Sequence, residues 1–258
     1  MTPTLEEITG FMGMGSKLQG SDLRNKRPIV PKRVDGTKFL NYLKINKMEE
    51  ASLESGWVSL EFLYERYGQE DGFEKCLGQL NNKGEIETWK IHRRFAFMVA
   101  FLGCIVFPER DKQIDIRLAG VVQALTTMDN LTLIPMILGD IFRALTKCKE
   151  GAIYFEGCNI LLQIWFLEHF YRHHFAPKFN ADWVNYMTEH EERVEKCDLP
   201  IGIKACEEKL SKLTADKIIW NYHWFPAHEV ICMSSHHPFL VLIGLRGVQP
   251  YAPLRVMQ

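Results

Sequence analysis

Apolar residues recur three and four positions apart over most of this chain, the spacing of one face of an α-helix. Thr4 and Glu7 open the first such stretch with the spacing of a capping box, in which two side chains satisfy orphan backbone donors. Leu5, Ile8, Phe11 and Met12 then share a face, and Gly13 and Gly15 stop it. Phe39, Leu40 and Leu43 mark a short helix. Ser59 caps another carrying Leu60, Leu63, Tyr64 and Tyr67, which ends at Gly68. Phe73, Leu77 and Leu80 suggest one more before the Asn-Asn-Lys-Gly turn at 81–84.

The middle third carries the strongest pattern. A run from about Glu85 to Phe107 stops at Pro108, and its charge-free part, Phe95 to Phe107, reads as a buried core helix. It is thirteen residues long, short of the roughly 20 that a membrane span needs. Ile114, Leu118, Val121, Val122 and Leu125 form the next stripe. Pro135 suits an early helical position and precedes Ile137, Leu138, Ile141, Phe142 and Leu145. Residues 158–174, 180–196 and about 203–213 give three more helices, the last two highly charged. Phe239 to Leu245, between Pro238 and Gly247, is apolar and β-branched and predicts a short strand. The expected fold is therefore mainly α: a single globular multi-helix domain over residues 1–258, with at most a short β element near the C-terminus.

Charge changes this picture in one place. Residues 17–47 hold nine Lys/Arg against Asp22 and Asp35, and Pro28, Pro31 and Gly36 break the middle into an exposed basic loop at 17–36. Residues 48–74 reverse the sign, with eight acids and only Arg66, so the two stretches could face each other. The net charge of -1 gives no whole-chain field toward nucleic acid or an anionic membrane. The 7 cysteines are odd in number and irregularly spaced, which points to a reducing compartment and not to a secreted disulfide framework. The N-terminus has no basic-then-apolar signal peptide.

The chain carries no recognisable catalytic or cofactor motif. Gly13, Gly15 and Gly20 do not make a dinucleotide fingerprint, because Leu18 occupies the needed glycine position. Gly15-Ser16-Lys17 has the wrong order for a Walker loop. His169 and His173 share a helix face, but Cys148 and Cys158 upstream are too far apart for a zinc finger. His223, His228, His236, His237 and Cys232 match no ligand spacing. Cys76, Cys197 and Cys206 carry no nucleophile signature. Asp115, Arg117, Asp140 and Arg143, inside apolar helical stretches, read as buried ion pairs. No catalytic residue, metal ligand or cofactor is assigned. The one feature suited to a partner is the basic loop: Arg24, Lys26, Arg27, Lys32 and Arg33 could hold phosphates. Residues 17–36 contain no aromatic on which a base could stack.

Three segments together carry a resemblance: Thr2 to Ile8 with Phe11-Met12-Gly13; Gly151 to Tyr171, centred on Gly157 to His169; and Leu245 to Val256. In this order they resemble the plant mobile domain family, also labelled aminotransferase-like and found in plant transposons and maintenance-of-meristems-like proteins. Gly56 to Tyr64 and Phe95 to Leu125 look closest to an uncharacterised plant branch. The resemblance implies a mainly helical, transposon-derived, non-enzymatic interaction module. It would act in the nucleus in transposon silencing or genome maintenance, with a PP7-like phosphatase as a possible partner. It supplies no catalytic residue, and no lysine here has a pyridoxal-phosphate context. Family members usually extend beyond both ends of this chain, so a shortened copy is expected. An enzyme with an unrecognised site and a degenerate copy without function are the alternatives.

Overall fold

The computed structural model describes residues 2–12, 26–43, 56–69, 83–170, 202–218, 220 and 239–252. The expected helices at 73–80 and 180–196 lie outside them. The described residues are mainly helical: α1 (Leu5–Phe11), α2 (Gly36–Leu43), α3 (Leu60–Tyr67), α4 (Lys83–Phe101), α5 (Arg117–Thr127), α6 (Ile134–Lys149), α7 (Asn159–Phe170) and α8 (Ile203–Ser211). Three two-stranded pairs accompany them. The expected C-terminal strand is one arm of an antiparallel hairpin, β5 (Leu240–Ile243) and β6 (Val248–Tyr251). Two further pairs were not expected. β2 (Trp57–Ser59) runs antiparallel to β3 (Gln113–Asp115), and β1 (Arg27–Pro28) runs parallel to β4 (Leu131–Thr132).

Contacts divide the chain into two compact units, residues 1–22 with 160–231, and residues 23–159 with 232–258. In the first, α1 begins with the predicted capping box: Glu7 N–H donates to Thr4 Oγ1, and Thr4 N–H donates to Glu7 Oε2. Leu5, Ile8 and Phe11 are buried, as are Leu161, Ile164, Trp165 and Leu167 of α7. Of the two expected charged helices, α8 lies within the described residues and buries none of its residues.

In the second unit, α4 packs against α2, α3 and α5, while α6 packs against the β5–β6 hairpin and β1. Ser59 caps α3 by accepting from Phe62 N–H, and Pro135 sits in the first turn of α6. Gly151, with φ of +100°, turns the chain away from the end of α6, a conformation in which a side chain would be strained.

The run at 95–107 differs from its expected burial. Phe95, Ala96, Val99, Leu102 and Val106 face the core, but Phe97 is 69% exposed, Phe101 49%, and Ile105 is exposed with them. A helix apolar on all sides still has an outward face, and Phe97 and Phe101 stack there with ring centroids 6.4 Å apart. The α-helix also widens into a π-helical turn at Leu102–Val106, closed by Phe107 N–H donating to the Leu102 carbonyl at 2.7 Å. This turn brings Gly103 against β3, where an added Cβ would lie 2.6 Å from Ile114 Cγ2. Ile114 is stiff, buried and paired with Val58, so it has little room to move. Gly103→Ala is expected to destabilise the protein by about 1–3 kcal/mol through overpacking. A urea titration showing an unchanged midpoint would count against this contact.

Candidate functional site

The acidic and basic residues expected to form buried ion pairs in apolar helical stretches do pair, but Asp115 lies in strand β3 and not in a helix, and its partner Arg117, at the start of α5, is half-buried. Asp115 and Arg117 form a fork, with Arg117 Nη2 donating to Asp115 Oδ2 at 2.6 Å and Nε to both carboxylate oxygens. Asp140 and Arg143, one turn apart on α6, form the start of a larger network. Arg143 Nε donates to Asp140 Oδ1 at 3.0 Å, and its Nη1 donates to Glu156 Oε2 at 2.7 Å. Lys147 Nζ, the next turn along, reaches the same Glu156 oxygen at 2.8 Å. The spacing of Asp140, Arg143 and Lys147 places all three on one helical face.

The hairpin closes over this face. Leu245 N–H donates to Asp140 Oδ2 at 2.6 Å. Arg246 donates from Nη2 to the Phe107 carbonyl and from Nη1 to the Pro108 and Glu156 carbonyls, while its Nε lies 3.4 Å from Glu109 Oε2. The approach requires glycine on both sides. A Cβ on Gly139 would lie 3.2 Å from Gly244 N, and one on Gly244 would lie 3.2 Å from Asp140 Oδ2. Sequence reasoning identified Asp140 and Arg143 but not Lys147, Glu156 or Arg246. Their signal was the i, i+3, i+7 spacing on α6 and a lone arginine between glycines in the hairpin turn.

The two carboxylates titrate in opposite senses. Asp140 is 1% exposed, and burial pushes its carboxyl up, against the Leu245 N–H and the Arg246 and Arg143 charges that favour ionisation. Burial also raises Glu156, but hydrogen bonds from Lys147 and Arg143 outweigh it and leave that carboxyl below its usual range.

A second buried cluster stands in the other unit. Glu7 Oε2 accepts from Trp165 Nε1 at 3.2 Å as well as from Thr4 N–H, and Glu7 Oε1 lies 2.8 Å from His169 Nε2. His169 is 1% exposed. The histidine considered for a metal thus has a carboxylate partner that also caps α1, whereas His173 lies outside the described residues. Cys148 Sγ points at the Tyr154 carbonyl, 3.9 Å away. Cys206 is on α8, and Cys76 and Cys197 lie outside the described residues, as do His223, His228, His236, His237 and Cys232.

The predicted phosphate-binding residues occupy a strap leading into α2. Arg24 lies outside the described residues. Arg27 N–H donates to the Asn130 carbonyl at 2.8 Å and Ile29 N–H to the Thr132 carbonyl at 3.1 Å, which ties the strap to β4. Ile29 and Val34 are buried, and Val34 fits under Gly120, where a Cβ would lie 3.0 Å from it. Beside these pins Arg27, Lys32 and Arg33 are exposed and Lys26 is half-buried. Asp35 Oδ1 accepts from Lys38 N–H at 2.8 Å, at the entry to α2. Of the acidic stretch, Glu61 and Glu65 are described and exposed, and neither pairs with the strap.

A mainly helical unit with its buried charges joined to one another, and with a basic strap on its surface, defines a class of α-helical scaffold domain. Over residues 1–258 the chain matches the family described as Plant mobile domain, and it belongs to that transposon-related family. No curated protein and no solved structure matches it. Among the described residues, no helix is long and apolar enough to cross a membrane.

Removing the central guanidinium would take a charged donor from each of two buried carboxylates. Arg143→Met is expected to cost about 3–5 kcal/mol, measured by urea denaturation; a loss no larger than that of an exposed Arg→Met control would show the network to be incidental. Glu156→Gln tests its titration. A depressed carboxyl contributes stability that is present above its unfolded pKa and is lost as pH falls through its folded value. The variant should therefore be less stable than the parent at neutral pH, by about 1.5–3 kcal/mol. The difference should shrink as pH falls below the usual glutamate range. A gap independent of pH would contradict the ionised state assigned to Glu156.

Proposed function

We propose that this protein is a non-enzymatic interaction module that contacts nucleic acid through the strap carrying Lys26, Arg27, Lys32 and Arg33. The observation that carries the reading is the contrast between these cations, clustered on a pinned strap, and those drawn into the buried network. Arg143, Lys147, Arg246 and Arg117 are engaged by buried carboxylates or carbonyls. The strap cations have no ion pair among the described residues, although the backbone that bears them is pinned. A fixed row of cations with no ion pair among the described residues suits a polyanion, whose counterions it releases on binding.

The non-enzymatic part of the proposal is supported by the engagement of Asp140, Glu156, Glu7 and His169. Asp140, Glu156 and Glu7 each accept from at least two donors, which favours structural roles over proton transfer. Action in the nucleus, in transposon silencing or genome maintenance, rests on membership of the plant mobile domain family, and the PP7-like phosphatase partner on the resemblance alone.

Reversal of Arg27, Lys32 and Arg33 to Glu should abolish retention of the full chain on immobilised nucleic acid at low salt. Melting should be unchanged, because all three side chains are exposed. Retention that survives the reversal, or a parent protein that is never retained, would refute the proposal.

A further inference from the structure

The strap's geometry points to duplex phosphate backbone as its ligand, read without regard to base sequence; this rests on the nucleic-acid reading proposed above. The first observation is what the strap lacks. Recognition of a single strand depends on aromatic faces for its unpaired bases. No aromatic lies between Lys26 and Lys38. The next one, Phe39, is fully buried, and Tyr42 stacks on Phe95 with centroids 5.8 Å apart. The strap therefore offers charge and no stacking surface. A duplex presents only phosphates and groove edges on its outside, with its bases already stacked.

The second observation is spacing. The cations form two pairs, Lys26–Arg27 and Lys32–Arg33, with a buried residue just after each, Ile29 and Val34. The five residue steps from Arg27 to Lys32 span at most roughly 18 Å. That length can bridge a major groove about 12 Å wide, so each pair can meet a different phosphate wall. Pro28 and Pro31 restrict the backbone between the pairs, which lowers the entropy lost on holding both ends against a rigid ligand.

The third observation is charge balance. Asp35, on the same segment, accepts the Lys38 backbone N–H. Asp129, beside the Asn130 carbonyl that holds Arg27, makes no ion pair with the strap. Neither acid neutralises the four cations. A duplex carries more charge per unit length than a single strand, so the same cations release more counterions from it.

The test is fluorescence anisotropy of the full chain with two labelled duplexes of unrelated sequence, one of their separated strands, and an acidic peptide, across a salt series. The two duplexes should bind alike and more tightly than the strand. With four phosphate contacts the duplex log–log salt slope should be about −3.6, a loss of roughly 100-fold in affinity between about 50 and 200 mM salt. Each of Arg27→Gln, Lys32→Gln and Arg33→Gln should reduce the slope by about 0.9. Lys149→Gln and Lys204→Gln, exposed elsewhere, should not. Equal or tighter binding of the single strand, or a strong preference between the duplexes, would overturn the inference while leaving the nucleic-acid reading intact. Binding to the acidic peptide alone, or to none of the four probes, would overturn both.

Discussion

The guanidinium of Arg143 is the constraint on which the larger unit depends. It lies between Asp140 on its own helix and Glu156 beyond the next turn, and each of those carboxylates holds something further. Asp140 binds the backbone of Leu245, 105 residues away, and Glu156 binds Lys147. Arg246 then extends the connection to the carbonyls that follow the π-helical turn. Ordering such distant segments costs conformational entropy that local helix formation does not recover. Nonpolar packing could supply the free energy. A charge network adds direction, because a hairpin displaced by one residue would bury Asp140 without the Leu245 N–H. Buried ion pairs are weak evidence of net stability, and positional specificity is the role that this geometry supports better.

The strap shows the same division between fixed backbone and directed side chains, with the polarity reversed. Its short parallel pairing to β4 and its two apolar pins consume backbone donors and hydrophobic surface, and leave the cations outside. A flexible tail of the same composition would lose more entropy when it met a ligand. The near-zero net charge of the chain conceals this arrangement. Some of the acids counted in that total, Asp115, Asp140 and Glu156 among them, are already committed to other cations, so the sum over the sequence says little about the field at the strap.

Local features were legible in the sequence because each depends on residues only a few positions apart. The Thr4–Glu7 box, the Ser59 cap, Pro135 in the first turn of α6 and the strand within Phe239–Leu245 all belong to this group. Pairings across long separations were not legible. Nothing near Arg27 announces Leu131, and nothing near Val58 announces Ile114. The uniformly apolar run at 95–107 also concealed which of its faces is inward, since periodicity identifies a buried side only where polar residues mark the other. At the basic loop, charge and turn residues predicted exposure. The pins at Ile29 and Val34 needed the fold to be seen.

The segments that carry the family resemblance coincide with these buried polar contacts. Glu7 from the first segment, which also accepts from Thr4 N–H, meets Trp165 and His169 from the second. Glu156 and Leu245-Arg246, from the second and third, lie on the Arg143 network. Gly157 is confined too: its Cβ would lie 2.7 Å from the Phe155 ring and 3.2 Å from the Ile141 Cα. The recognisable residues thus make structural contacts in this fold. A domain can be assigned to this family on its scaffold alone, without reference to surface residues that the resemblance does not include. The strap at 26–33 falls outside all three segments, and its chemistry therefore had to be argued from exposure, anchoring and charge.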